Sequence, residues 1–171
     1  MSMIRGLLAV ALGGATLLGH GISARATGAA GSFVELPSAD LKWEEFYPGG
    51  PLESFIVGSK EAKHGPTAFF IKFKAGFDSG WHLHDSEYAA VILSGTILET
   101  NKGAEAPKPL AAGSYYRQPK TVHKTQCTAA SDCLVYIYEE GRFSFTPTTE
   151  DGKPLPPRAG TAAKAASKTS P

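Results

Sequence analysis

Two cysteines, five histidines and a net charge of +1 are all that 171 residues carry of the groups that most often drive chemistry. The near-zero charge comes without a basic stripe, so the sequence does not point to nucleic acid as a partner. Cys127 and Cys133 are not spaced as Cys-x-x-Cys, and no third cysteine exists to complete a thiolate zinc site. Helical patterning is scarce. Only residues 38–46 have a helical flavour, and that stretch is short. There is no internal repeat and no sign of a second domain. The apolar run at residues 7–18 is broken by glycines and too short to span a bilayer comfortably. No Arg-Arg pair stands near the start, which argues against a twin-arginine route.

What the chain does contain falls into three parts. Residues 1–26 read as a secretory signal: Arg5 gives a positive start, residues 7–18 an apolar core, and Ala24-Arg25-Ala26 a small-x-small cleavage pattern. The rival reading is a short membrane anchor. Cleavage implies a periplasmic or secreted protein, exported unfolded, loaded with metal afterwards and not stably inserted in the membrane. Residues 154–171 are Pro, Ala, Lys, Ser and Thr with almost no large apolar side chain, the composition of a disordered tail. Residues 32–153 remain for one domain with one modest core. In an oxidising compartment Cys127 and Cys133 would pair, and the short loop they close would contribute about 2 kcal/mol. The rival is a metal or redox pair.

Between the termini, short β-prone runs alternate with Gly, Pro, Asp and Asn. They lie at residues 54–58, 67–75, 87–94, 96–100, 113–117, 133–140 and 143–145. In Phe69-Phe70-Ile71-Lys72-Phe73-Lys74 the lysines alternate with apolar residues, giving one wet and one dry face. Many short strands joined by turns specify an all-β sandwich or barrel.

Two residues with metal-binding chemistry, His82 and His84, stand at the start of the β-prone run that ends in the Gly95 turn. Side chains two apart on a strand share a face, so His82 and His84 point the same way. His123, after the Pro119 turn, is the candidate third ligand. His20 lies in the signal and His64 in a glycine–proline turn. A lone strand histidine is most simply a hydrogen-bonded core residue; three imidazoles at matched spacing suit zinc, copper, nickel or iron.

At this point the chain resembles the cupin superfamily. Gly76, His82, His84 and Gly95 stand at the spacing of the first cupin motif. Gly113, Pro119 and His123 approximate the second, with one residue fewer between Pro and His. The likeness covers residues 76–125. Cys127, Cys133 and Gly141-Arg142-Phe143 also resemble the small cupins related to ChrR-type anti-sigma factors. The resemblance implies a single-domain, jelly-roll double-stranded β-helix barrel. It implies a divalent metal (zinc, iron, manganese, nickel or copper) on His82, His84 and His123. It makes dioxygenase chemistry on a small oxygenated substrate admissible, with a non-catalytic zinc- or ligand-binding module as the alternative. It also implies a homodimer by strand exchange, for which residues 67–74 would serve.

One departure matters. The cupin glutamate usually stands four residues after the second His, where this chain has Tyr88; Glu87 is one residue early. By strand parity Tyr88 shares the histidine face and Glu87 points away, unless a bulge swings it inward. Tyr88 is therefore the expected site hydroxyl, with a ligating tyrosinate left open. Phe77 and Trp81 flank the site, with Trp81 facing away from His82 by parity. Tyr115, Arg117 and Gln118 are candidates for its mouth.

Overall fold

The computed structural model describes residues 33–156. The expected signal and most of the expected tail lie outside them. Chain contacts divide the protein into Met1–Glu35 and Leu36–Pro171. Only residues 33–35 of the first unit are described, and they form no regular element. The second unit carries the fold.

That fold is β throughout apart from one 3-10 turn at Ser38–Asp40. The strands are β1 (Glu44–Glu45), β2 (Leu52–Val57), β3 (Thr67–Phe73), β4 (His82–Leu83), β5 (Tyr88–Ser94) and β6 (Thr96–Asn101). They continue as β7 (Pro109–Ala111), β8 (Tyr115–Gln118), β9 (His123–Cys127), β10 (Cys133–Glu139) and β11 (Thr146–Pro147). Two antiparallel sheets form, in the orders β1-β2-β3-β10-β5-β8 and β11-β4-β9-β6-β7. This is the expected jelly roll, built as two sheets rather than as one closed ladder of hydrogen bonds. Among the described residues no helix is long and apolar enough to cross a membrane.

Alternation decides what goes inside. In β5 Tyr88, Ala90 and Ile92 are buried, and in β9 His123, Thr125 and Cys127. Phe69, Ile92 and Val135 from the first sheet join Ile97 and Cys127 from the second in one core. Phe46 and Phe143, from outside the longer strands, complete it, their rings edge-on at 5.5 Å. Such a contact combines apolar burial with favourable ring electrostatics.

The sequence expectations meet three differences. Residues 143–145 are not a strand; they pack Phe143 and Phe145 against the core, and pairing resumes at β11. The helical flavour at residues 38–46 reduces to the 3-10 turn followed by β1. The segment proposed for strand exchange is β3, which is paired to β2 on one side and β10 on the other. It therefore offers no free edge within this chain. At the C-terminal end Thr148 bridges to Pro154, and the Leu155 N–H donates to Pro147 O. The backbone is thus tied in through Leu155.

Cys127 and Cys133 form a disulfide that links β9 to β10 across the two sheets. Gly95 turns the chain between β5 and β6 beside it. Its φ is +76°, and a Cβ there would lie 2.7 Å from both Asp132 O and Cys133 Sγ. Only glycine meets both requirements.

Candidate metal centre

Two strands bring the histidines together. His82 of β4 is registered directly opposite His123 of β9, and His84 follows two residues beyond His82. One ring nitrogen from each of His82, His84 and His123 falls within 4.8 Å of the others. Ring centroids are 4.2 Å apart for His82–His123, 5.1 Å for His82–His84 and 5.3 Å for His84–His123. The expected three-histidine set is therefore assembled.

Hydrogen bonds orient the rings. His82 Nδ1 lies 2.9 Å from Gly80 O, and His123 Nδ1 lies 2.8 Å from Thr121 O. A carbonyl only accepts, so both Nδ1 atoms carry the proton and both Nε2 atoms present lone pairs. His84 Nδ1 is 3.3 Å from Glu139 Oε1, backed by a carboxylate, though the pair is not aligned for a hydrogen bond. Carboxylates and carbonyls behind ligating imidazoles fix tautomer and orientation. His82 also stacks on Phe145, with centroids 4.4 Å apart. Burial, and then neighbouring His84, push the His123 pKa down to about 3. The ring is neutral at physiological pH, the form that ligates a metal.

Tyr88 enters from β5 in the opposite sheet. Its hydroxyl is 3.2 Å from His123 Nε2, and because His123 is protonated at Nδ1 the tyrosine is the donor. Burial raises the pKa of Tyr88 well above the ordinary phenol value, followed by the nearby Glu99 and Tyr116. Glu87 turns outward to an ion pair with Arg117. Tyr88 faces inward and Glu87 outward as expected, although the chain bends at residues 85–86 and passes from one sheet to the other between His84 and Tyr88.

Histidines 82 and 84 and Tyr88 border a cavity of about 50 Å³ that is partly open to solvent. Its walls are largely aromatic and aliphatic and include Phe46, Phe69, Phe73, Phe77, Phe143 and Phe145. Phe77 flanks the site as expected. Trp81 does not line the cavity; its ring lies under Lys124 at 5.4 Å. The three mouth candidates do not reach the cavity. Tyr115 and Arg117 line a separate surface depression with Glu87 and Tyr138, and Gln118 is buried in hydrogen bonds to Asn101.

Three carboxylates near the site were not foreseen. Glu99 of β6 has a side chain only 6% exposed, 3.8 Å from His123 Nε2 through Oε1. Burial pushes its pKa up to about 8, against the stabilising hydrogen bonds from Thr125 and Tyr116. Glu139 stands behind His84. Glu53 lines the cavity, with its pKa raised to about 7 by burial despite Lys60 at 3.5 Å. Buried polar atoms left without a hydrogen bond are Oε1 of Glu53, Glu99 and Glu139, Nδ1 of His84 and Oγ1 of Thr148. Three of them, on Glu99, Glu139 and His84, lie in or beside the histidine cluster. Unpaired groups at a ring of lone-pair donors fit a bound cation.

Comparison with solved structures finds the same architecture. A protein of unknown function with a cupin-like fold from Ralstonia eutropha JMP134 matches at 15% identity and TM-score 0.58, over 72% of this chain and 75% of that one. The DMSP lyase DddQ from Ruegeria pomeroyi DSS-3 matches at 19% identity and TM-score 0.55, over 67% and 64%. A candidate acetylacetone dioxygenase from Methylibium petroleiphilum PM1 matches at 16% identity and TM-score 0.54, over 74% and 88%. At these identities the likeness is one of fold, and the fold is that of the RmlC-like cupins. Comparison with curated proteins finds no match. Residues 56–154, more than half of the chain, match the model of the family DUF4437, described as a domain of unknown function, and the chain belongs to that family.

Proposed function

We propose that this chain is an exported, metal-dependent cupin that oxidises a small oxygenated substrate in the manner of a dioxygenase. His82, His84 and His123 are the ligands and Tyr88 is the acid–base group. The observation that carries this reading is the convergence of three histidine ring nitrogens within 4.8 Å of one another, with the His82 and His84 rings lining an apolar cavity. A bound divalent transition metal would supply Lewis acidity and O₂ chemistry to an enol or diketone. The protein's own contributions follow from its residues. The apolar walls favour a substrate with an apolar body. A cavity of about 50 Å³ holds a few heavy atoms, since one water takes roughly 10–15 Å³ on this measure. Tyr88 keeps its proton at neutral pH and can donate it to a substrate oxygen. Support from outside the chain is limited to fold relatives whose names record an acetylacetone dioxygenase candidate and a DMSP lyase. The disulfide agrees with an oxidising compartment and hence with export.

A second reading is a non-catalytic zinc- or ligand-binding module. It is favoured by the crowding of Tyr88 and Glu99 around His123, which leaves less room for substrate. Metal analysis of protein isolated from the periplasm, followed by O₂ uptake across diketones, flavonols and thiols, separates the two. The first reading expects metal-dependent O₂ consumption with at least one class. Metal-loaded protein that consumes no O₂ with any of them supports the second. Folded protein with intact histidines that takes up no metal overturns the first reading and the zinc form of the second.

A further inference from the structure

Three histidines bring no charge to a dication, yet the site is lined with phenylalanine. A divalent ion in such surroundings requires a carboxylate close by, because an uncompensated buried charge is expensive. The carboxylates around the cluster can be weighed one by one. Glu87 faces outward and pairs with Arg117. Glu53 is engaged by Lys60. Glu139 Oε1 lies 3.3 Å from Nδ1 of His84, out of line for a hydrogen bond. Glu99 faces Nε2 of His123, a ring whose proton is held on Nδ1 by Thr121 O.

We propose that Glu99 supplies a fourth metal ligand, from a strand that carries no other ligand. The reading rests on the three-histidine metal centre and extends it. Glu99 and His123 lie on neighbouring strands, β6 and β9, where Glu99 is registered to Thr125 and Asn101 to His123. Glu99 and His123 are thus diagonal neighbours on the inward face, within side-chain reach. Thr125 Oγ1 donates to Glu99 Oε2 at 2.7 Å, which anchors one oxygen and aims the other. That other oxygen, Oε1, is buried without a hydrogen-bond partner, 3.8 Å from His123 Nε2. The distance is too long for a hydrogen bond. It is close to the span of two atoms sharing one ion: ligand bonds of ~2.1 Å place them roughly 3.4 Å apart at a tetrahedral angle and farther apart at wider angles. Glu99 is not among the residues that line the cavity, whereas His82 and His84 are. The carboxylate therefore closes the site from behind and leaves the cavity side to substrate.

The test compares wild-type protein with Glu99→Gln, Glu99→Asp and the outward-facing control Glu87→Gln. Zinc affinity is measured by competition with a chromophoric chelator, and cobalt(II)-loaded proteins are examined by visible absorption. The expected result is at least a tenfold loss of zinc affinity and an altered cobalt spectrum in Glu99→Gln, with the control unchanged. Glu99→Asp keeps the charge but shortens the reach, so it is expected to fall between them, and it serves if the Gln variant does not fold. Variants at Glu99 that bind zinc within twofold of wild type, with the same cobalt spectrum, overturn the fourth-ligand role and leave the histidine centre standing. Wild-type protein that binds neither ion overturns the histidine centre itself, and this inference with it.

Discussion

The Tyr88 hydroxyl donates to Nε2 of His123 across 3.2 Å, so the tyrosine proton and a metal ion compete for one lone pair. This contact joins the two sheets at the site, with β5 supplying the hydroxyl and β9 the imidazole.

Replacing Tyr88 with Phe follows directly. Losing one buried hydrogen bond is expected to cost about 1 kcal/mol in the metal-free protein. Metal affinity should stay the same or rise, because the competing donor is gone. Turnover on any substrate found should fall by roughly 10²-fold or more. Chelator competition and steady-state kinetics on the same preparation check both. A marked fall in affinity would instead make Tyr88 a ligand.

The metal-free protein should lose stability as pH rises from about 5 to 8.5. Glu99 and Glu53 titrate near 8 and 7 in the folded chain, above the ordinary value of 4.5. The folded state binds more protons than the unfolded state in that window. Stability is then fully present below about 4.5 and is lost as pH rises through the folded values. His123 has the opposite sign: its pKa is lowered to about 3 from 6.5, so it opposes folding only below about 6.5. Each tenfold difference in proton affinity is worth ~1.4 kcal/mol, so the two glutamates outweigh the histidine. Thermal melts of apo protein across this range would read the slope, and a flat or rising profile would count against the buried carboxylates.

Reduction of the Cys127–Cys133 disulfide should destabilise the domain by about 2 kcal/mol, since the loop it closes is short. Denaturant titrations with and without reductant give the difference. His123 lies at the opposite end of β9 from Cys127, so metal affinity should survive in protein that remains folded.

Gly95→Ala should be more damaging than a typical surface change, by ~2 kcal/mol or more. It combines a φ of +76° with a Cβ 2.7 Å from Asp132 O and Cys133 Sγ. Gly76→Ala is the companion control. It shares the positive φ of +78° but has nothing within 4 Å, so its cost is strain alone. Equal losses at the two positions would refute the packing argument.

How far the site could be read in the sequence depended on whether period-two parity was enough. For His82 and His84 it was; for Tyr88 and Glu87 it gave the right facing although the chain bends at residues 85–86 and changes sheet before β5. His123 needed the second motif. Glu99 could not be read, because Ile97 and Leu98 are both apolar and leave the facing of that strand undecided. Its approach to His123 depends on the register between β6 and β9, which no local pattern fixes. Glu53 and Glu139 were missed for a related reason: a carboxylate in a strand reads as solvent-facing until its neighbours are known. The run expected from His82 to Gly95 is split into β4 and β5, because the bend at residues 85–86 hands the chain from one sheet to the other.

The most direct test of the whole account is the metal content of the full-length protein purified without added metal or chelator, alongside His82→Ala and His123→Ala. The account predicts about one equivalent of a divalent transition metal per wild-type chain, and a loss of most of it in either variant. Wild-type protein that is folded and metal-free, and stays so after incubation with zinc, iron, copper, manganese or nickel, would contradict it.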